Sequence, residues 1–167
     1  MPTPLASAIL HCFRRNGLYA LRLVEDLTDA QMIAQPIAGR TLNHAAWVLS
    51  HVNIYNAMAA SIARARPFTD PSDHPHGKKS KPLPDAAAYL PRAQLIAAYR
   101  DIHADAHAAL EAATEAVLAQ PNPLDRKRAD HPTVGDMLVM LMVKHESVHL
   151  GQLSAWRRAL GLPSVAM

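Results

Sequence analysis

The sequence predicts an all-α fold, a four-helix bundle in which the whole chain of 167 residues forms one domain. Half of the residues are apolar and only 5% are aromatic, and abundant alanine favours closely packed helices over a β-sandwich. Four long segments carry apolar residues at intervals of three or four, without the alternation of strands. The 13 prolines lie mainly between these segments. Four such helices bury their apolar stripes by packing around one core.

The first two helices are predicted over residues 4–27 and 41–64. Pro4 suits the opening turn of the first, and apolar residues recur with helical spacing as far as Leu27. Thr41 is the expected N-cap of the second, since its hydroxyl can accept a hydrogen bond from an unpaired backbone N–H.

The other two helices are predicted over residues 91–119 and 133–160. Thr133 is the expected N-cap of the last helix, and Asp136 stands where a capping box places its acidic residue. Gly161 marks the end of that helix.

A polar, proline-rich segment, residues 67–90, connects the second and third helices. It contains the stretch PSDHPHGKKSKPLPD, which is too polar for a core. Its length suits a crossover or a flap over one end of the bundle. The basic run at residues 126–128 is interpreted as a solvated loop.

Composition excludes several classes of function. The net charge of +3 is too mild to indicate a nucleic-acid-binding protein by itself, so nucleic acid is disfavoured as a partner. A single cysteine, Cys12, excludes an internal disulfide framework and a cysteine-based zinc finger. No apolar run approaches the roughly 20 residues of a membrane span, and no signal-peptide pattern is visible. We therefore expect a cytoplasmic protein with no membrane partner.

The chain has ten histidines, and two of them, His145 and His149, lie in the motif HESVH of the last helix. Four residues turn a helix by about 400°, so both imidazoles project from one face and can reach one metal ion. That face also carries the apolar stripe, so both histidines point into the core. The other residues of the stripe are Val134, Leu138, Leu141, Gln152 and Trp156.

The second helix presents His51 on its inward stripe, and His44 lies two turns earlier on the same face. The stripe also contains Trp47, Tyr55, Met58 and Ile62. Because His44 is about 10.5 Å from His51 along the helix axis, it is expected to support the site and not to coordinate. Burying several imidazoles without partners costs free energy that a shared metal removes. We therefore predict that His51, His145 and His149 bind one divalent metal ion.

Other histidines leave alternatives open. Any single inward histidine can also be a hydrogen-bonded core residue without a metal. His103 and His107 have ligand spacing on the third helix, but they flank its apolar stripe and are interpreted as facing water. His11 is left undecided, and the histidines in predicted loops are His74, His76 and His131.

HExxH is also the helix signature of zinc metalloproteases, in which the glutamate is the general base. That interpretation needs a third ligand after the motif, but the residues that follow His149 include no His, Asp, Glu or Cys. Glu146 lies about 100° from the metal-binding face, so a supporting or a surface position fits it as well as catalysis does. A protease is therefore disfavoured.

The segments TLNHAAWVLSHV and TVGDMLVMLMVKHESVHLGQLSAWRRALGLP resemble the DinB/YfiT-like family of metalloenzymes, in the DinB superfamily. The shared features are a tryptophan before a histidine on helix two, HxxxHxGQ on the last helix, a basic residue and a Leu-Gly stop. In this chain they are Trp47, His51, His145, His149, Gly151, Gln152, Arg157 or Arg158, Leu160 and Gly161. The resemblance covers nearly the whole chain, although residues 67–90 match no family motif.

This resemblance implies an up-down-down-up bundle, one divalent metal ion on three histidines, and frequent homodimers. The superfamily includes thiol-dependent S-transferases and a maleylpyruvate isomerase. We therefore expect a metal-dependent transferase or hydrolase that activates a low-molecular-weight thiol or a water toward a small-molecule substrate. The alternative is a non-enzymatic metal-binding or stress-response protein with the same fold.

Imidazole ligands suit Zn, Ni or Fe, and three of them leave coordination positions open, as in catalytic sites. The residues expected to support the metal ligands are His44, Tyr55, Glu146 and Gln152. The catalytic residues themselves are not assigned by the sequence.

The back of the last predicted helix is also apolar, which predicts a homodimer. Val139, Met140, Val143 and Leu150 project away from the metal-binding face. A contiguous exposed apolar patch usually marks an interface. The alternative is that residues 67–90 or the N-terminal residues cover this face.

Overall fold

The computed structural model describes residues 1–166 and is an all-α bundle of four long helical segments. Three of them are α1 (Pro4–Val24), α2 (Ala45–Ala63) and α3 (Arg92–Glu111). A single turn, α4 (Glu115–Leu118), follows. The fourth segment is continuous and consists of α5 (Val134–Leu138), a π-helical segment (Val139–His145) and α6 (Glu146–Ala159). No β-strand is present among residues 1–166, so the predicted fold class is confirmed.

Capping decides where the helices begin and end. The predicted capping box forms, because Thr133 Oγ1 accepts from the Asp136 N–H and Asp136 accepts from the Thr133 N–H. The last helix ends before Gly161, whose φ of +75° is costly for other residues. Thr41, in contrast, is not the N-cap of α2. His44 takes this position, since its Nδ1 accepts from the backbone N–H of Trp47 at 3.3 Å.

The third helix is shorter than predicted. The prediction of one continuous helix as far as residue 119 is wrong. α3 ends at Glu111, and Thr114 has an extended backbone with φ of −84° and ψ of 161°. Its hydroxyl accepts from the Val117 N–H at 3.3 Å and so caps α4. A threonine side chain that bonds locally to the backbone competes with helical pairing.

Helices α2 and α3 run parallel, which is why a long connection is needed between them. At their C-terminal ends, Arg64 pairs with Asp105 at 2.6 Å. At their N-terminal ends, the ring of His44 lies 5.2 Å from the ring of Tyr89, just before α3. Residues 67–90 are therefore a crossover that returns the chain to the starting end of α2.

Helix α1 is antiparallel to α3 and parallel to the last helical segment. Arg92, at the start of α3, donates to the Glu25 carbonyl just after α1. Arg157, near the end of α6, donates to the carbonyl of Leu23, near the end of α1. These directions give the up-down-down-up order that the family resemblance implies.

A polar layer divides the core into two apolar clusters. One cluster contains the start of α1 and the ends of α2 and α3, and the other contains the opposite ends of these helices. Between them lie polar side chains from every long segment: Asn16, His51, Asn56, His103, His145, Glu146 and His149. Buried polar side chains need hydrogen-bond partners or a bound ligand. This polar layer is therefore the candidate position of a functional site.

The apolar back of the last segment is largely covered by the chain itself. Leu150 is only 2% exposed and belongs to one core cluster, and Met140 and Val143 are partly buried against the other. Val139 remains 38% exposed. The homodimer therefore stays a prediction. Less apolar surface is exposed on this face of the last segment than the helix periodicity indicates. None of the helices within residues 1–166 combines the length and the hydrophobicity of a membrane-spanning helix.

Candidate metal centre

Three histidines from two helical segments converge in the polar layer. His51 comes from α2, His145 ends the π-helical segment, and His149 lies one turn into α6. One nitrogen of each lies within 4.8 Å of the others. The Nε2 atoms of His51 and His145 are 3.0 Å apart, near the about 3.3 Å expected for two imidazoles on a tetrahedral zinc ion. The three predicted ligands can therefore hold one metal ion.

His51 is oriented by the crossover loop and by an aromatic neighbour. Its Nδ1–H donates to the backbone carbonyl of His76 at 2.6 Å. The Trp47 ring stacks on the imidazole at 4.5 Å with an interplanar angle of 18°. With Nδ1 carrying the proton, Nε2 presents its lone pair to the other two histidines, as a metal ligand must.

His149 is oriented in the same way by a side chain of its own helix. Its Nδ1–H donates to Gln152 Oε1 at 3.0 Å. Gln152 Oε1 also accepts from Asn43 Nδ2 at 2.9 Å, which ties the middle of α6 to the residues just before α2. Gln152 thus lies where the sequence predicts a supporting residue.

Burial keeps all three imidazoles neutral at physiological pH. Desolvation and the neighbouring His149 lower the pKa of His51 to about 4. Desolvation and the two other histidines lower the pKa of His145 to about 3. Desolvation also lowers the pKa of His149. Neutral imidazole is the form that binds metal, so no proton has to be removed from a cation before binding.

Tyr55 and His44 differ in their distance from the three histidines. The Tyr55 ring lies 4.8 Å from that of His51 and 4.7 Å from that of His145, and burial is the main cause that raises its pKa. Both nitrogens of His44 are used elsewhere, since its Nε2–H donates to the Leu83 carbonyl at 3.0 Å in addition to the N-cap bond. His44 therefore supports the start of α2 and is not part of the three-histidine cluster.

The crossover loop is bound along α2 beside the cluster. Trp47 lies one turn before His51 on α2, and its Nε1 donates to Ser80 Oγ at 3.1 Å. The bond from His51 to the His76 carbonyl is a second contact between α2 and the loop. Sequence analysis missed this role of residues 67–90, because a backbone carbonyl in a loop of irregular composition leaves no signal in residue type.

Glu146 occupies neither the surface nor a position against the metal ligands. It is 0% exposed, and its Oε1 accepts from the Tyr99 hydroxyl at 3.0 Å and from Asn56 Nδ2 at 3.2 Å. Its Oε2 has no hydrogen-bond partner among the residues that the structure describes and lies 4.0 Å from His103 Nε2. Burial raises the pKa of this carboxyl to about 7. The predicted surface alternative is therefore wrong, since the side chain points into the core toward α2 and α3.

His103 and His107 do not form a competing metal cluster, and His103 does not face water. Its ring stacks on Phe13 at 3.7 Å, and its Nε2–H donates to the Phe13 carbonyl at 3.1 Å. Within residues 1–166, only the cluster of His51, His145 and His149 brings three potential ligand residues together.

A cavity of about 290 Å³ opens at the cluster. Its wall is apolar and rich in methionine, with Met58, Leu124, Met137, Met140 and Leu141. Three cationic side chains, Lys78, Arg126 and Lys127, also line it, whereas none of the acidic residues in the described part of the chain does. Arg126 is held by Asp70, with its Nε and a terminal nitrogen 2.8 and 2.9 Å from the two carboxylate oxygens.

The sequence profile of the DinB superfamily matches residues 13–153, which is most of the chain and includes all three histidines. The chain belongs to the DinB superfamily. Neither a curated protein nor a solved structure gave a significant match. The resemblance predicted from WxxxH and HxxxHxGQ is thus confirmed at the level of the superfamily.

The structure also decides between the two arginines that follow the Gly-Gln pair in this DinB-superfamily protein. Arg157 is 2% exposed, whereas Arg158 lies on the surface. Arg157 donates to both carboxylate oxygens of Asp26, at 2.6 and 3.0 Å, and to the Leu23 carbonyl at 2.9 Å. It joins α6 to the end of α1 and has a structural role.

Proposed function

We propose that this DinB-superfamily protein is a metal-dependent enzyme that holds one divalent ion on Nε2 of His51, His145 and His149. The observation that carries the proposal is the shared orientation of two of these imidazoles. His51 and His149 each donate from Nδ1 to a fixed acceptor, the His76 carbonyl and Gln152 Oε1. A core histidine needs only one such partner, so the convergence of the remaining nitrogens is best explained by a shared ion.

A divalent ion in this position would supply Lewis-acid chemistry that lowers the pKa of a thiol or a water. The chain contributes three neutral nitrogen ligands and a cavity whose wall is largely apolar. The Tyr55 ring packs against two of the ligands and keeps them from turning out of the cluster. Nitrogen donors of this kind suit Zn, Ni or Fe.

The charges that line the cavity favour an anionic substrate. Lys127 is half-buried at its edge, makes no ion pair among residues 1–166, and is one of the charges that lower the pKa of His145. Lys78 lines the same cavity and is exposed. A carboxylate on the thiol or on its electrophilic partner would pair with these ammonium groups, and an apolar body would lie against the methionines.

Metal analysis tests the binding half of this proposal. Purified wild-type protein should contain close to one equivalent of divalent metal by emission spectroscopy. Each of His51→Ala, His145→Ala and His149→Ala should lose most of it, while His107→Ala, outside the cluster, should keep it. Full metal content in all three ligand variants would overturn the assignment.

Turnover assays test the catalytic half. The metal-loaded protein is incubated with cysteine, glutathione or mercaptoacetate and 1-chloro-2,4-dinitrobenzene, and separately with 4-nitrophenyl acetate. Thiol transfer that disappears in His145→Ala supports S-transferase chemistry, and metal-dependent ester cleavage supports hydrolysis. Full metal content without turnover in either assay favours the non-enzymatic alternative.

A further inference from the structure

A second cleft, of about 310 Å³, lies between α1 and α3. The residues that matter for its chemistry are Arg14, Leu18 and Leu21 from α1, and Tyr99, Arg100 and His103 from α3. Helix α2 packs on α3 and on the last helical segment, and α1 packs on the same two elements. The cleft is therefore on the opposite side of the bundle from the metal cavity, which α2 and the last segment form.

A glycine makes the floor of this cleft possible. An added Cβ at Gly17 would come within 2.6 Å of His103 Cε1, so only glycine lets the imidazole approach α1 this closely. The ring is fixed there by Phe13, on which it stacks and to whose carbonyl it donates. Burial lowers the pKa of His103 to about 4, so the floor of the cleft is a neutral ring.

Two leucines form the apolar part of the wall of the cleft, and Leu18 is in contact with solvent. This residue is 53% exposed, and Leu21 is partly buried. Tyr99 is only 1% exposed and turns its hydroxyl away, toward Glu146 in the core, so it contributes only the edge of its ring to the bottom of the cleft. Exposed leucine beside an aromatic ring in a concave site is typical of a small-molecule pocket.

The charge at the cleft has one sign. Arg14 and Arg100 are both exposed, and neither forms an ion pair among residues 1–166. Within the described range, 1–166, no acidic side chain lines the cleft. The nearby carboxylate of Glu146 is fully buried, and Asp105 of α3 is engaged by Arg64. Both guanidinium groups are therefore free to pair with an external anion.

We propose that the cleft between α1 and α3 is a second ligand site, for a small molecule with a flat apolar body and one carboxylate. The carboxylate pairs with Arg14 and Arg100, and the apolar body lies against Leu18 and Leu21, above the ring of His103. The volume of about 310 Å³ suits a molecule with one or two fused rings. This site is separate from the metal cavity and does not depend on the proposed chemistry there.

The test compares 2-naphthoate with the neutral 2-naphthamide on the zinc-loaded, ¹⁵N-labelled chain of 167 residues. Naphthoate should shift the backbone amide signals of Gly17, Leu18 and His103 and bind at least tenfold more tightly than naphthamide. The double variant Arg14→Ala/Arg100→Ala should lose at least tenfold in naphthoate affinity. Arg15→Ala, an exposed arginine of α1 that does not line the cleft, should bind as the wild type does.

A second variant tests the apolar wall. Leu18→Asp changes an exposed position, so the fold should persist, and naphthoate binding should fall at least tenfold. Equal affinity for naphthoate and naphthamide, shifts confined to the metal cavity, or wild-type affinity in the double variant would each overturn the proposal.

Discussion

His149 donates from Nδ1 to Oε1 of Gln152 at 3.0 Å, so a residue one turn further along α6 determines which nitrogen of His149 faces the other two histidines. The same amide oxygen accepts from Asn43, which fixes the position of the acceptor itself. The GQ pair of the motif can therefore be understood physically: its glutamine sets the tautomer of the third ligand.

Replacing this acceptor should weaken metal binding without unfolding the bundle. Gln152→Leu should lower zinc affinity by about 10- to 100-fold, the usual cost of losing a partner behind a histidine ligand. Gln152→Glu keeps an acceptor and should restore most of the affinity. Competition with a chromophoric chelator gives both values, and equal affinities in the two variants would contradict the role of the acceptor.

Glu146 should contribute to stability through its partners. Glu146→Ala leaves the Tyr99 hydroxyl and Asn56 amide without their acceptor and opens a cavity, so it should cost about 2–4 kcal/mol in free energy of unfolding. Glu146→Gln retains an acceptor oxygen and should cost about 1 kcal/mol or less. Urea unfolding measures both changes. Equal losses in the two variants would show that the hydrogen bonds to Oε1 do not matter.

Much of the candidate metal centre could be predicted from the sequence, because helical periodicity gives the direction in which each side chain projects from its helix. One cluster is predicted from the spacing of His145 and His149 and from the position of His51 on an apolar stripe. The structure brings these three histidines together. Periodicity does not report what lies opposite. The polar partners of Glu146, for example Tyr99, come from another helix and depend on the packing of the bundle.

Two departures have local causes that residue type conceals. The seven residues from Val139 to His145 are π-helical, whereas the predicted directions of their side chains are those of an ideal α-helix. α-Helical spacing still brought His145 and His149 to one face, because both histidines lie at or after the end of this segment. At Thr114, a capping hydroxyl ends a helix that alanine-rich composition predicts to continue.

The stability of the metal-free protein should depend on pH through His103. Burial lowers its pKa to about 4 in the folded state, from the 6.5 of a solvent-exposed histidine. Between these values the unfolded chain binds the extra proton, so stability is lost as pH falls below about 6.5. From pH 7.5 to 5.5 this residue alone should cost about 1 kcal/mol. Urea unfolding in chelator should show a smaller pH dependence for His103→Gln than for the wild type, and an unchanged dependence would contradict the assignment.

The pair formed by Asp26 and Arg157 should be needed for the stability of the bundle. Asp26→Asn leaves a buried guanidinium without its counter-charge and should cost about 2 kcal/mol, less than a fully buried pair because Asp26 is 53% exposed. Arg158→Ala, on the surface, should change stability by less than about 0.5 kcal/mol. The bond from Arg157 lowers the pKa of Asp26, so this contribution is present above about pH 4 and is lost as the carboxylate is protonated. Thermal unfolding at pH 7 compares the two variants, and equal midpoints would contradict the structural role of Arg157.

Lys127 should select anionic substrates at the metal cavity, if the protein catalyses thiol transfer as proposed. It lines the cavity, while its neighbour Arg126 is engaged by Asp70. Lys127→Ala should therefore raise KM for mercaptoacetate by about 3- to 10-fold, the effect of losing one partly solvated ion pair of about 1 kcal/mol. KM for the neutral 2-mercaptoethanol should stay unchanged, because that thiol has no carboxylate to bind.

Lys79→Ala is the matched control, since Lys79 is paired with Asp73 on the exposed loop and does not line the cavity. A parallel rise in KM for both thiols would point to a general effect on the site, and no rise for either would remove Lys127 from substrate recognition. Zinc content should be the same in all three proteins, because none of the changes touches a ligand or its hydrogen-bond acceptor.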